Sequence, residues 1–261
     1  MLLVSDIHGA FSALARVAAA GETLLVLGDL INFVDYRTTD GIMAEIFGSE
    51  FVAQVAAARG RGDLDTNRRL WVRHAAGRED EVRAKVAELV AEQYERCREA
   101  LAPARGYVTY GNVDWPERLQ AILPPGCRFV DGEAVEIEGL TVGFVGGGAP
   151  TVIQARGEVN DDLMETKLEG IGEVEVLCSH LPPAVSPLHT DVVTGLPERA
   201  SRPLLDYIRR VRPRYHYFGD VHQPQATTWR VGATRCVNVG YFRATGRPVR
   251  HPTTEVHPGG E

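Results

Sequence analysis

Five short stretches of the chain end an apolar run with residues able to hold a divalent cation. Leu2-Leu3-Val4 leads into Asp6-Ile7-His8, and Leu24-Leu25-Val26-Leu27 into Gly28-Asp29. Tyr107-Val108-Thr109-Tyr110 leads into Gly111-Asn112, the run at 173–177 into Ser179-His180, and Tyr215 onwards into Asp220-Val221-His222. Carboxylate, imidazole and amide oxygen or nitrogen atoms are the donors that divalent metals take. Residues two apart on a strand point the same way, so Asp6 and His8 can face one point. One Asp-x-His is also what a turn beside a surface histidine looks like. Five strand ends all choosing Asp, Asn or His point instead to a shared site.

The elements that must carry these residues can be read from the periodicity. Each apolar run has the length and content of a buried strand. Residues 11–20 read as a helix with Ser12 as N-cap and Gly21 after its end. Two βα units in succession imply an α/β sheet with its site along the strand ends. From about 33 to 105 the apolar residues fall at helical spacing, which predicts a helical insertion. It contains Arg59, Arg61, Arg68, Arg69, Arg73 and Arg78. These arginines suit either an anionic substrate or a solvated helix face. Asp114 reads as the N-cap of a helix with Pro116 in its first turn. Residues 130–145 alternate as a hairpin should. Gly146-Gly147-Gly148 lacks the following Gly-Lys-Ser/Thr of a nucleotide-binding loop. Asn160 caps a helix to about 168, and 202–211 forms an amphipathic helix. The domain is expected to span 1–250, with a loose tail at 251–261.

Composition narrows the class. The chain has 261 residues, 44% of them hydrophobic and 24% charged, enough for one large domain with a sizeable core. Its formal net charge of -7 argues against non-specific binding to a nucleic-acid backbone. No apolar run suits a membrane span, and the N-terminus does not read as a signal peptide. Cys97, Cys127, Cys178 and Cys236 are scattered, as expected of small buried residues in a cytoplasmic protein.

The blocks and their order resemble the calcineurin-like metallophosphoesterases, whose pattern runs Asp-x-His, Gly-Asp, Gly-Asn-His-Asp/Glu, His, Gly-His-x-His. Ser179-His180-Leu181-Pro182-Pro183 is similar to the family's Ser-His-x-Pro-Pro, and Asn238-Val239-Gly240 falls where Asn-Pro-Gly is common. The resemblance covers about 1–32 and 106–240. It implies a four-layer α/β/β/α sandwich with two divalent metals at the strand ends. Asp6, His8 and His222 would hold one metal, Asn112 and His180 the other, with Asp220 a possible further ligand and Asp29 the bridge. It implies hydrolysis of a small phosphoester, a phosphodiester above all, by a metal-bound hydroxide. Cations about 3.5–4 Å apart clamp a phosphoryl group and lower a bound water's pKa to roughly 7.

Two positions depart from the pattern. Val113 stands where the family has histidine, so a general acid worth about 10²–10⁴ in rate is missing. His189 could substitute, or be an exposed loop histidine. Asp220 stands where the fifth block begins with histidine. Two dications, three aspartates and a hydroxide then cancel in charge, where a two-aspartate site stays positive. That predicts weaker attraction for phosphate and a shift from zinc towards manganese, iron or magnesium. It is also compatible with a loosely bound or absent second metal. Phosphomonoesterase or nucleotide pyrophosphate hydrolase activity remains open within the class. A degenerate member serving as a binding or scaffold module is the alternative outside it. Oligomeric state is not legible.

Overall fold

The computed structural model describes residues 1–151 and 155–252. The chain opens with β1 (Leu2–Val4), α1 (Phe11–Ala18) and β2 (Thr23–Leu27). Then come α2 (Ile42–Phe47), α3 (Ser49–Gly60), α4 (Leu64–Ala75) and α5 (Glu79–Leu101), followed by β3 (Arg105–Thr109), α6 (Pro116–Ile122) and β4 (Cys127–Phe129). β1 to β4 are parallel neighbours in chain order. Parallel pairing needs crossovers that cover the sheet's faces, so its strands run as continuous apolar stretches. Leu24 to Leu27 are all buried.

The second half supplies β5 (Glu133–Ile137), β6 (Leu140–Val145), α7 (Asp161–Ile171), β7 (Val176–Ser179) and α8 (Ser186–His189). It continues with α9 (Arg202–Val211), β8 (Tyr215–Phe218), β9 (Thr228–Val231), β10 (Thr234–Asn238), α10 (Phe242–Thr245) and β11 (Val249–Arg250). Among the described residues a second sheet runs β5-β6-β7-β8-β10-β9, parallel in its centre and antiparallel at both edges. The protein is therefore mixed α/β, with two mixed sheets and helices packed on them.

Strand alternation divides the core. Val4, Leu24 and Val26 pack with Leu14 of α1 and with Val90, Tyr94 and Cys97 of α5. Leu3, Leu25 and Leu27 point the other way. They meet Val142, Phe144, Val176, Cys178 and Tyr217 of the second sheet. The far side of that sheet packs on α7 and α9 through Leu168, Leu204 and Ile208. α9 begins and ends where its periodicity predicts, with the Ser201 side chain accepting from Leu204 N at 3.2 Å. Asn160 caps α7 in the same way, 2.9 Å from Leu163 N.

Some expectations need correction. α1 stops at Ala18, and Ala10 rather than Ser12 holds its capping position. Trp115, not Asp114, holds the position before α6, and no side chain caps that helix. His251, expected in the loose tail, is buried: β11 pairs with β1, His251 N donates to Met1 O at 3.1 Å, and its Nδ1 lies 2.8 Å from the Tyr217 hydroxyl. The rest of that tail, 253–261, lies outside the described residues. Between β2 and β3, α2 to α5 follow the helical spacing, and Arg59, Arg61, Arg68, Arg69, Arg73 and Arg78 are all exposed. No described helix is long and apolar enough to cross a membrane.

Candidate metal centre

The candidate ligands sit in the loops that leave the parallel strands, the edge where open α/β sheets place their sites. The local reason is not strand alternation. β1 ends at Val4, before Asp6 and His8. Asp6 (φ 57°), His8 (φ 40°), Asp29 (φ 53°) and Asp220 (φ 67°) all adopt the left-handed conformation. They are four of the seven described non-glycine residues with positive φ. Non-glycine residues enter that region at a cost of order 1–3 kcal/mol, and such outliers concentrate at functional sites. The two loops are laced together, with Asp6 N donating to Gly28 O (3.1 Å) and His8 N to Asp29 O (2.9 Å).

These turns close the seven residues into a ring. His222 Nε2 lies 3.7 Å from Asp6 Oδ1 and 3.2 Å from His8 Nε2. His8 Nε2 lies 3.6 Å from Asp29 Oδ2, and Asp29 Oδ1 lies 3.5 Å from His180 Nε2. His180 Nε2 is 3.3 Å from Asn112 Oδ1 and 3.6 Å from Asp220 Oδ1. Asp220 N closes the ring by donating to Asp6 Oδ1 at 3.1 Å. The other nitrogens of His8 and His180 face the carbonyls of Ile31 and Leu27 at 3.3 and 2.9 Å, which leaves both Nε2 atoms turned inward.

Buried carboxylates and imidazoles face one another here. Asp6 is fully buried and Asp29 is 3% exposed. Among the described residues, no Lys or Arg forms an ion pair with Asp6, Asp29 or Asp220; histidine nitrogens are their partners. Burial works to raise the Asp6 and Asp29 carboxyls, but the neighbouring histidines outweigh it and hold both below the usual range. Burial likewise works against charge on His180 and His222. Asp29 and Asp220 beside the first, and Asp6 beside the second, push these rings above the ordinary imidazole value. His8, where burial dominates, is pushed down.

The residues fit metal ions. Most of their separations are long for hydrogen bonds. They match the spacing between donors that share an ion about 2.1 Å away. Two groups of three meet this condition: Asp6, His8 and His222, and Asp6, Asp29 and His180. Asp6 thus belongs to both groups, a sharing the sequence reading assigned to Asp29 alone. Asp29 still stands between them, one oxygen towards His8 and one towards His180.

Several contributors were not legible in the sequence. Asp114, read there as a helix cap, is fully buried and accepts from Asp29 N (2.8 Å), Gly111 N (2.9 Å) and Leu30 N (3.1 Å). It pins two ligand loops together. Burial and the Asp29 charge push its carboxyl up to about 7. Tyr241 stacks on His222 at 4.0 Å and 11°, and its hydroxyl donates to Asp35 Oδ2 at 2.7 Å. Gly111 leaves room for the site, since a Cβ there would lie 2.7 Å from His180 Cε1. Val113 donates its backbone N–H to Asp29 Oδ1 at 3.2 Å, and its side chain is apolar. His189 stands apart from the ring, half-buried, with Nδ1 3.0 Å from Glu198 O.

No family model matches the chain. No curated protein matches it either. Solved structures do share its fold. One superposes with a TM-score of 0.60 at 16% identity, over 92% of this chain and 90% of the other. TT1561 of Thermus thermophilus gives a TM-score of 0.51 at 15% identity, over 93% and 89%. The sulfate thiohydrolase SoxB of the same organism, in complex with glycerol, reaches only 0.36 at 16% identity, over 88% and 37%, and says nothing of function here.

Proposed function

We propose that the protein is a metal-dependent phosphoesterase of the calcineurin-like kind, acting on phosphodiesters, with its two sheets packed between helical layers as an α/β/β/α sandwich. The closed ring of seven donors carries this reading, above all Asp29 with one oxygen towards each histidine cluster. Asp6, His8 and His222 would hold one ion. Asp6, Asp29 and His180 would hold the second, with Asn112 and Asp220 beside them. Paired divalent cations supply charge that neutralises a phosphoryl group and lowers the pKa of a water to about 7. The chain's own part is to bury the carboxylates, aim three imidazoles inward and fix the loops through Asp114. Val113 holds no proton to give, so substrates whose leaving group departs as a stable anion suit the site. The hard oxygen of Asp220 favours manganese, magnesium or iron over zinc. A scaffold alone would give no reason to bury two carboxylates against three histidines.

The test strips the protein with a chelator, restores manganese and follows hydrolysis of bis(p-nitrophenyl) phosphate. Manganese-dependent turnover that disappears in Asp29→Ala is expected. Absence of turnover with manganese, magnesium, iron and zinc alike would overturn the reading in favour of a binding module.

A further inference from the structure

We infer that Arg37 and Arg59 form an anion subsite at the mouth of the metal centre, which takes a second phosphate or carboxylate group carried by the substrate. The inference rests on the phosphoesterase reading and adds the substrate class to it.

Contacts on both walls place these two arginines. His222, with 30% of its side chain exposed, opens the ring to solvent. Tyr241 lies flat on it, and Asp35 holds the Tyr241 hydroxyl. The next two residues are Tyr36 and Arg37. Arg37 Cζ lies 6.0 Å from the Tyr241 ring centre, and Arg59 Cζ lies 4.6 Å over the Tyr36 ring. The opposite wall is the segment at 189–198. It is bonded to the chain just after His222 through Val192 N to Gln223 O and Gln225 N to Thr190 O, both 2.9 Å. Its Glu198 lies 3.8 Å from Arg59 Nη2. Arg59 therefore stands between the two walls, and the Glu198 it faces lies within electrostatic reach of Asp220 and His222.

Both guanidiniums have unused donors. Neither side chain makes a hydrogen bond among the described residues, and the approach of Arg59 to Glu198 is too long for one. Arg243, beside His8, is by contrast engaged by Asp35, Asp40 and the His8 carbonyl. Arg69 and Arg78 of the insertion bond locally to Thr66 and Glu81. A planar guanidinium with free N–H groups is suited to paired oxygens of phosphate or carboxylate. The ring's three carboxylates nearly cancel two dications, so rim cations must supply the attraction for an anionic substrate. Arg37 meets the ring only through Tyr241 stacked on His222, which calls for a second anion on an arm of some length. A phosphoanhydride or a diester with a phosphorylated or carboxylated arm fits; a plain dialkyl ester does not use the subsite.

The test uses manganese-loaded protein and three esters with one leaving group: p-nitrophenyl butyl phosphate and its counterparts whose butyl arm ends in phosphate or in carboxylate. A KM about tenfold lower for an anion-ended arm is expected, as charge-assisted hydrogen bonds would give. The arm that shows the advantage names the anion. In Arg37→Ala/Arg59→Ala that KM should rise to the butyl value, while the exposed control Arg73→Ala keeps the advantage. Thermal melts check that the variants fold. Equal KM values for all three esters, or an advantage that survives the double substitution, would overturn the subsite. If no ester is hydrolysed the phosphoesterase reading fails by itself. Calorimetric binding of the phosphate-ended ester then decides: binding lost in the double variant supports the subsite, and binding retained refutes it.

Discussion

Asp220 puts a third carboxylate beside His180, where an imidazole would bring a softer donor and no charge. Its backbone N–H also holds Asp6, so the position works through main chain and side chain together. Only the side-chain part changes in Asp220→His. The expected result is a several-fold rise in zinc bound relative to manganese when the protein is equilibrated with both, because imidazole suits zinc and carboxylate suits manganese. Unchanged metal ratios would remove Asp220 from the site. Gly111 is a second sensitive residue. A Cβ there would meet Asp29 N and His180 Cε1, each at 2.7 Å, and Asp29 Oδ1 closer still. Gly111→Ala should cost about 1–3 kcal/mol in chemical denaturation and lose metal with it. The donors themselves were legible, because an apolar run ending in Asp, Asn or His is a local pattern. Gly111 as a spacer was not, since the need for a missing side chain arises only where β2 and β7 bring Asp29 and His180 together.

The elements act as arms that must be held in register. Asp114 joins the loop after β2 to the loop after β3, and its acceptors satisfy three buried N–H groups at once. Asp114→Ala strands all three, so a loss of about 3 kcal/mol or more is expected in urea unfolding, with weaker metal binding. A loss below about 1 kcal/mol would show that the clip is not structural. Its partners Asp29 and Leu30 lie more than eighty residues upstream. That distance explains why a cap for the adjacent helix was the natural reading from sequence. Tyr241 links the loop after β2 to His222 in a comparable way. Tyr241→Phe removes only the bond to Asp35 and should leave metal affinity nearly intact. Tyr241→Leu removes the stack as well and should weaken affinity several-fold, measured by manganese titration. Equal affinities in the two variants would separate the stack from the metals. β11 escaped the sequence reading for a different reason. Two residues make too short a pattern to read, and pairing with β1 and the burial of His251 define it.

At the scale of the molecule, the two sheets come from the two halves of the chain, apart from β11, which returns to pair with β1, and the ring forms only where they meet. Parallel strands with buried faces announce themselves as apolar runs, which is why the α/β class and the strand ends were legible. Which ligand faces which was not, because it follows from left-handed turns that no propensity encodes. The assembled cluster also couples stability to pH. Asp29, Asp220 and Asp6 raise His180 and His222 above 6.5 in the metal-free protein. Stability from these pairs is fully present below 6.5 and is lost as pH rises through the raised values. The melting temperature of chelated protein should therefore fall as pH is taken above 6.5. Added manganese should reverse that trend, because deprotonated histidines bind the metal better. The same slope with and without manganese would mean that the histidines do not meet the metal.

Metal stoichiometry after dialysis against excess manganese, read by elemental mass spectrometry, addresses the shared ring most directly. Two ions per chain are expected for the native protein, with a marked loss in Asp29→Ala, whose oxygens face both histidine clusters. A native chain that retains no metal, or an Asp29→Ala variant that retains as much as the native chain, would contradict a paired-cation centre.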